Sequence, residues 1–424
     1  MSVSATLDSA GFHRFELHEA LVRGLKDAGF ENPRPIQDET IPAGLEGIDV
    51  LGLAQTGTGK TAAFALPLLD WILNERPKAP AALILAPTRE LANQIAVEIR
   101  MLAKFTRVRV VTVYGGVSMR NQANELRRNP EIVVGCPGRV LDMLQQGVLK
   151  LGAVGSLVLD EADHMFDMGF LPDVRKIIDA IPRDRQSLLF SATMPKEIRH
   201  LADDLLVDPH VVDLAGTCPA ETIDHGLYRV AEKRKRALLE HLLDGEDCQS
   251  AIVFTRTKHR ARRLADQISK GGYRAVALQG NMSQSQRDRA MKGFRDRRFD
   301  ILVATDIAAR GIDVSGISHV INFDVPNTPE AYTHRIGRTG RAELEGVACT
   351  FVTGEDLGWV RATERMIGEA IQRREIAGFD TGVENEERAP RKSSSRSRPG
   401  GNARGARQGR GRQGGNRRRS SGRR

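Results

Sequence analysis

The chain has 424 residues, too many for one compact core, and its 40% hydrophobic and 28% charged content is that of an ordinary globular protein. No run approaches about eighteen consecutive apolar residues, and the start, MSVSATLDSAGFHRF, lacks the basic-then-apolar order of a secretory leader. The four cysteines, Cys136, Cys218, Cys248 and Cys349, form no CxxC pair, so neither a disulfide framework nor a cysteine zinc site is expected and reduced thiols in the cytoplasm are. The formal charge is +9, yet residues 388–424 hold 14 Lys and Arg and no acid, which leaves 49 basic against 54 acidic residues in the rest.

A leading helical segment is expected over about 14–29. Beyond it, short β-rich runs alternate with amphipathic stretches such as Glu90–Lys104 and Ala261–Lys270. AALILAP, VRVVTVY, EIVVGCP, SLVLDEAD and SLLFSAT read as strands of a first half; AIVFTRT, RAVALQG, DILVATD, HVINFD and ACTFVT read as strands of a second. Near-continuous apolar strands separated by helices predict parallel sheets covered on both faces, hence two doubly wound α/β domains. The first spans 12–212 with its leading segment, the second 222–372. PHVVDLAGTCPAETIDHG (209–226) interrupts the alternation and places the linker at 213–221. Residues 373–424 form a tail, disordered and Arg/Gly/Ser-rich from about 388: 388–424 contains no Leu, Ile, Val, Met or aromatic with which to offset the entropy of ordering.

Ala54-Gln-Thr-Gly-Thr-Gly-Lys-Thr61 lies between the strand-like DVLGL and the helical TAAFALPLLDWIL. A glycine-rich turn in that position aims backbone N–H groups and a helix dipole at phosphate oxygens. Lys60 suits the β- and γ-phosphates and the Thr61 hydroxyl suits Mg²⁺. Ala54 replaces the first glycine of the general pattern. Asp160-Glu161-Ala162-Asp163 follows an apolar strand, where one carboxylate can hold Mg²⁺ through water and its neighbour can activate water, a general-base contribution of about 10²–10⁴-fold. Polar signatures in both halves follow strands, and ligands of open α/β sheets bind at those carboxyl edges, so two edges facing across a cleft are expected. His334-Arg-Ile-Gly-Arg-Thr-Gly-Arg341 supplies three arginines at three-residue spacing, and an arginine reaching a γ-phosphate is worth about 10³–10⁵ in rate.

The ordered motif set resembles the DEAD-box ATP-dependent RNA helicases over about residues 12–372, and VFTRTKH with the overall spacing looks like the bacterial RhlE-like subgroup. The resemblance implies two tandem RecA-like doubly wound parallel-sheet domains, with ATP and Mg²⁺ as cofactors. Phe12 and the stretch GFENPRPIQ match the adenine-recognising Q motif, with Phe30 stacking on the base and Gln37 reading it. Thr56, Gly57, Thr58, Gly59, Lys60 and Thr61 hold phosphates, Asp160 and Thr61 the metal, and Asp313 the ribose. Glu161 is the catalytic base, with Lys60, Arg338 and Arg341 completing the catalytic set. Asp163, Ser191, Thr193 and His334 couple hydrolysis to strand separation. Pro87, Thr88, Arg89, Gly115, Gly116, Pro137, Gly138, Arg139, Gln284, Arg287 and Thr305 line the RNA path.

Cys136 stands where the family usually has Thr, which weakens one hydroxyl contact to RNA, and Arg34 stands where Thr or Ser is common. The implied partner is single-stranded and short duplex RNA with little sequence preference, the contacts being to phosphates and 2′-hydroxyls. Ribosome-assembly or RNA-degradation machinery are implied protein partners. No membrane is involved and the chain is expected to act as a monomer. An ATP-gated RNA clamp and a DNA translocase are the competing readings.

The tail's charge reads as a polyanion tether. Deleting 388–424 is expected to weaken RNA affinity and spare basal ATPase. Each lost phosphate contact should reduce the log–log salt slope by about 0.7, and an unchanged slope in a filter-binding titration overturns the tether.

Overall fold

The computed structural model describes residues 11–383 except 56, 215–222, 246, 307–316 and 341–344. Each of the ten expected strand runs carries a strand, and each half is built on a seven-stranded parallel sheet. The first comprises β1 (Val50–Leu53), β2 (Ala82–Leu85), β3 (Val110–Val113), β4 (Ile132–Gly135), β5 (Ser156–Leu159), β6 (Gln186–Ser191) and β7 (His210–Asp213), in the order β3-β4-β2-β5-β6-β1-β7. The second comprises β8 (Ile223–Arg229), β9 (Ala251–Phe254), β10 (Ala275–Leu278), β11 (Ile301–Ala304), β12 (His319–Asn322), β13 (Gly346–Val352) and β14 (Gln372–Arg374). Its order, β10-β11-β9-β12-β13-β8-β14, repeats the first strand for strand.

Alternate side chains of each strand enter opposite cores. Ile84 and Val158 pack on one face of the first sheet, while Leu83, Leu85, Leu157 and Leu159 pack on the other. Ile252 and Phe254 divide from Ala251 and Val253 in the same way in the second. Both faces are therefore sealed by helices, which is why the central strands read as unbroken apolar runs. The leading segment is a 3₁₀ turn, Phe12–Phe15, and a helix, Glu19–Asp27. Gly24 lets that helix approach the carbonyl of Leu102 so closely that an added Cβ would lie 2.1 Å from the oxygen.

Three strands escape the sequence reading, and two of them are edges. His210–Asp213 and the start of Ile223–Arg229 lie within the stretch read as an interruption, because β7 is edge-exposed and shows no apolar run. Gln372–Arg374 pairs with β8, and the Ala231 N–H donates to the Thr381 carbonyl at 2.9 Å. Ordered packing thus continues beyond 372, where the tail was expected to begin; the strand QRR is polar and carries no hydrophobic signal. The segment 388–424 lies outside the described residues.

The sheets set up the chemistry by continuing their ladders past the strand ends. Ala54 N donates to Ser191 O at 3.0 Å, Asp160 N to Leu85 O at 3.0 Å, and Cys136 N to Val113 O at 2.9 Å. In the second sheet Thr255 N donates to Ala304 O at 2.9 Å. Each loop with a motif residue therefore leaves its strand from a fixed point at the carboxyl edge.

Candidate functional site

The loop after β1 turns through left-handed Gly57 (φ 90°) and Gly59 (φ 96°), conformations that cost glycine little, and delivers Lys60 as the first residue of the helix Lys60–Glu75. Lys60 is buried; its Nζ donates to the Ala54 carbonyl at 3.0 Å and lies 3.7 Å from Asp160 Oδ1. Ala54 has no exposed surface, so it serves the loop through its carbonyl, and its missing glycine freedom is not called upon. Thr58 Oγ1 closes the turn on the Gln55 carbonyl at 2.9 Å, and Thr61 remains half-buried in the cleft lining. Thr56 lies outside the described residues.

Two side chains of the Q-motif stretch grip the same loop. Gln37 Oε1 accepts from the Arg34 backbone N–H at 2.8 Å while its Nε2 donates to the Gly59 carbonyl at 3.1 Å. The Arg34 guanidinium donates to the Gly57 carbonyl at 2.8 Å, so the departure from the family pattern adds a second brace. Phe30 lines the cleft, half-buried; Phe12 is buried behind it, edge-on with ring centroids 6.0 Å apart, and supports Phe30 from the core. These groups, with Asp160, Glu161 and the helix Gln284–Arg295 of the second lobe, enclose a cleft of about 820 Å³.

The carboxylates after β5 are buried, each 2–3% exposed. Burial pushes the Asp160 carboxyl up to about 6, with Lys60 opposing and Glu161 adding to the rise. For Glu161, burial is outweighed by His164, Lys60 and Arg338, which hold it well below the usual carboxylate range. Its backbone is left-handed (φ 54°), uncommon for a residue with a side chain, and this turns the carboxylate toward His164 at the start of the helix Ala162–Asp167. Asp163 is likewise held low, its burial outweighed by His164 and His334. Its Oδ2 accepts from the Thr193 N–H and Oγ1, both at 2.9 Å, and Ser191 Oγ accepts from the Asp163 N–H at 3.3 Å. Asp163, Ser191 and Thr193, the residues expected to couple hydrolysis to strand separation, are therefore one bonded unit, and His334 Nε2 approaches it to 3.7 Å from Asp163 Oδ2.

The arginine run behaves unevenly. Arg335 forms a two-point pair with Asp306 at 2.5 and 2.8 Å, and donates to Asn322 Oδ1 and the Asp324 carbonyl, so its guanidinium is engaged within its own lobe. Arg338 is buried, lines the interface beside His164 and His334, and faces Glu161. Arg341 and Asp313 lie outside the described residues.

A second cleft of about 500 Å³ is lined by Pro87, Thr88, Arg89, Gly115, Gly138, Arg139, Gln284 and Arg287. Gly116 (φ 77°) lies directly under the Arg89 guanidinium, and Pro137 opens the helix Pro137–Gln145. Thr305 follows β11, half-buried, outside that lining. Cys136 reaches the lining as a helix N-cap without a side-chain cap bond, its thiol pushed up to about 12 by burial. Across the cleft Arg89 donates to Gln284 Oε1 at 3.0 Å, and Arg287 pairs with Glu90 at 2.8 Å. His164, beside Glu161, and Glu90, paired with Arg287, were not among the expected site residues. The signal for His164 was its position one helical turn from Glu161.

A DEAD/DEAH box helicase model matches residues 34–201, and a helicase conserved C-terminal domain model matches residues 234–343. An ATP-dependent RNA helicase CshA of Listeria monocytogenes is 46% identical over 362 residues, 85% of this chain and 69% of that protein. The CshA of Geobacillus kaustophilus is 43% identical over 378 residues, 89% and 81% of the two chains. S. cerevisiae Dbp5 bound to RNA and ADP BeF3 superposes with a TM-score of 0.78 at 31% identity, covering 86% of this chain and 95% of that one. Mss116p bound to ssRNA and AMP-PNP gives 0.79 at 28% identity, covering 88% and 80%.

The Glu90–Arg287 pair crosses between the lobes with both side chains mostly buried. Glu90→Arg should shift the free protein toward separated lobes, and adding Arg287→Glu should restore proximity. A coupling of about 0.5–3 kcal/mol is expected, read by energy transfer between dyes on the two lobes without RNA. A double variant no closer than the single one removes the pair from that role.

Proposed function

The chain belongs to the DEAD-box ATP-dependent RNA helicases, and on that premise we propose how its own residues perform RNA-stimulated ATP hydrolysis and local strand separation. The observation that carries the assignment is the convergence of Lys60, Asp160, Glu161 and Arg338 at the lobe interface. The backbone of Gly57–Thr61 receives the phosphates, and Lys60 leaves the Ala54 carbonyl to neutralise them. Glu161 takes the proton of the attacking water, and Arg338 from the second lobe stabilises charge on the transferred phosphoryl group.

The residues fit Mg²⁺. Asp160 Oδ1 is buried without a hydrogen-bond partner, and with the Thr61 hydroxyl it makes a hard oxygen pair that phosphates and water complete. Bound there, the ion would add positive charge at the phosphates. Adenine reading by Gln37 falls to the second N–H and second lone pair of its amide, with Phe30 as the stacking face. Asp313 at the ribose, and Thr56 and Arg341 at the phosphates, complete the proposal from the family pattern.

Closure aligns the RNA groove and the nucleotide cleft together, since Arg89 and Glu90 join both to the helix Gln284–Arg295. RNA contacts by Arg89, Arg139 and Arg287 to phosphate give little sequence preference. Placement in the RhlE-like subgroup rests on VFTRTKH, whereas the relatives named above are CshA. Action in the cytoplasm as a monomer, with ribosome-assembly or RNA-degradation machinery, belongs to the same proposal; among the described residues no helix is long and apolar enough to cross a membrane.

Glu161→Gln should lower RNA-stimulated ATPase by at least about 10²-fold while nucleotide binding persists; turnover at the parent rate refutes the base assignment. A DNA strand that stimulates the parent as well as matched RNA favours the translocase reading. The Asp160 carboxyl, raised to about 6, must ionise to hold a metal. Affinity for Mg²⁺–ADP should therefore rise with pH up to about 6 and then level. At that pH binding should release about half a proton from this group. Asp160→Asn should abolish the release, measured by titration calorimetry in buffers of different ionisation enthalpy.

A further inference from the structure

His164 belongs to none of the motif roles assigned above, yet it is 2% exposed and makes two contacts of consequence. Its Nδ1 is 2.9 Å from Glu161 Oε2, and its Nε2 is 3.0 Å from His334 Nδ1, the two rings meeting edge to face at 4.5 Å. One imidazole thus bridges the hydrolytic carboxylate of the first lobe and a histidine of the second.

The bond to Glu161 fixes one proton of the bridge. An ionised Glu161 only accepts, so His164 Nδ1 carries the proton and donates. His164 Nε2 and His334 Nδ1 share the second hydrogen bond, whose direction depends on the tautomers. His334 Nε2 lies 3.7 Å from Asp163 Oδ2 and is buried without a hydrogen-bond partner. The bonds connect His334 of the second lobe through His164 to Glu161.

We propose that His164 is a positioning residue for hydrolysis, holding Glu161 in its working orientation only while His334 of the closed second lobe holds His164. The bond holds Glu161 at Oε2. When the lobes part, His164 Nε2 loses its partner and the ring is no longer fixed from both ends. Closure is thereby communicated to the base itself, separately from the delivery of Arg338. Misplacement of a reacting group by about 1 Å can cost about 10²-fold, so the bridge is large enough to gate turnover. The inference rests on Glu161 being the base.

Amide substitutions separate the two halves of the bridge. The Asn amide stands where Nδ1 stands and can still donate to Glu161; the Gln amide reaches toward Nε2 and His334. RNA-stimulated ATPase of His164→Asn, His164→Gln and His164→Leu is measured in the full chain beside Glu161→Gln, with fluorescent ADP binding and melting temperature as controls for folding. His164→Leu is expected to lower kcat about tenfold or more, with KM for ATP and ADP affinity within about twofold. His164→Asn should keep more of kcat than His164→Gln, because it preserves the bond to the base. The inference is overturned if His164→Leu turns over within twofold of the parent, or if the Asn and Gln variants are as slow as Leu. If Glu161→Gln itself turns over normally, the base assignment fails and this inference with it; an inactive Glu161→Gln beside a normal His164→Leu overturns this inference alone.

Discussion

Three carboxylates within four residues are buried at the end of β5, and the interior tolerates such charge only when each finds a partner. No single element supplies enough compensation. Lys60 comes from the helix after β1, Thr193 and Ser191 from the end of β6, and His334 and Arg338 from the second lobe. The electrostatic requirement of the first lobe is therefore met in part by the second. Nucleotide site and lobe interface are one object.

This sharing explains how a rigid pair of sheets can run a cycle. Neither sheet need deform, because the loops are pinned at the strand ends by ladder bonds such as Ala54 to Ser191. What changes is whether the groups from the second lobe are present. Separated lobes leave Glu161 without Arg338 and Asp163 without His334. Closure therefore has an electrostatic gain inside the nucleotide site, and nucleotide and RNA draw on that same closure from opposite sides of Arg89 and Glu90.

The central strands were legible because burial on both faces leaves apolar runs such as ALIL and SLVL that tolerate no polar interruption. The edges β7 and β14 were not, since one flank meets water and HVVD or QRR satisfies the ladder without a hydrophobic run. The phosphate loop, the acidic box and the SAT turn were visible as polar residues at strand ends. What linear pattern could not supply was the third dimension of single side chains. Arg335 and Arg338 share a run and line the same cavity, but Asp306 captures the first while the second faces Glu161. Arg34, flagged as a departure, turned out to brace Gly57.

The repeated strand order poses the question of why one sheet hydrolyses nucleotide and its twin does not. The second lobe keeps the same charge pair in the same place. Lys235 opens the helix that follows β8, and its Nζ lies 3.6 Å from Asp324, which follows β12, as Lys60 lies 3.7 Å from Asp160 after β5. There the resemblance stops. No glycine turn precedes Lys235; Ala231 and the short turn Glu232–Arg234 fill that space, and Glu232 pairs with Lys235 at 3.2 Å. Asp324 Oδ1 faces Arg260 at 3.0 Å and Oδ2 accepts from the Arg256 N–H at 2.9 Å, so both oxygens are engaged by protein. Asp160 keeps an oxygen without such a partner. A buried lysine–aspartate pair thus fits a phosphate and metal site where its surroundings leave it incompletely satisfied, and a structural ion pair where an arginine and a glutamate complete it. The second lobe is free, on that account, to contribute groups to a site it does not contain.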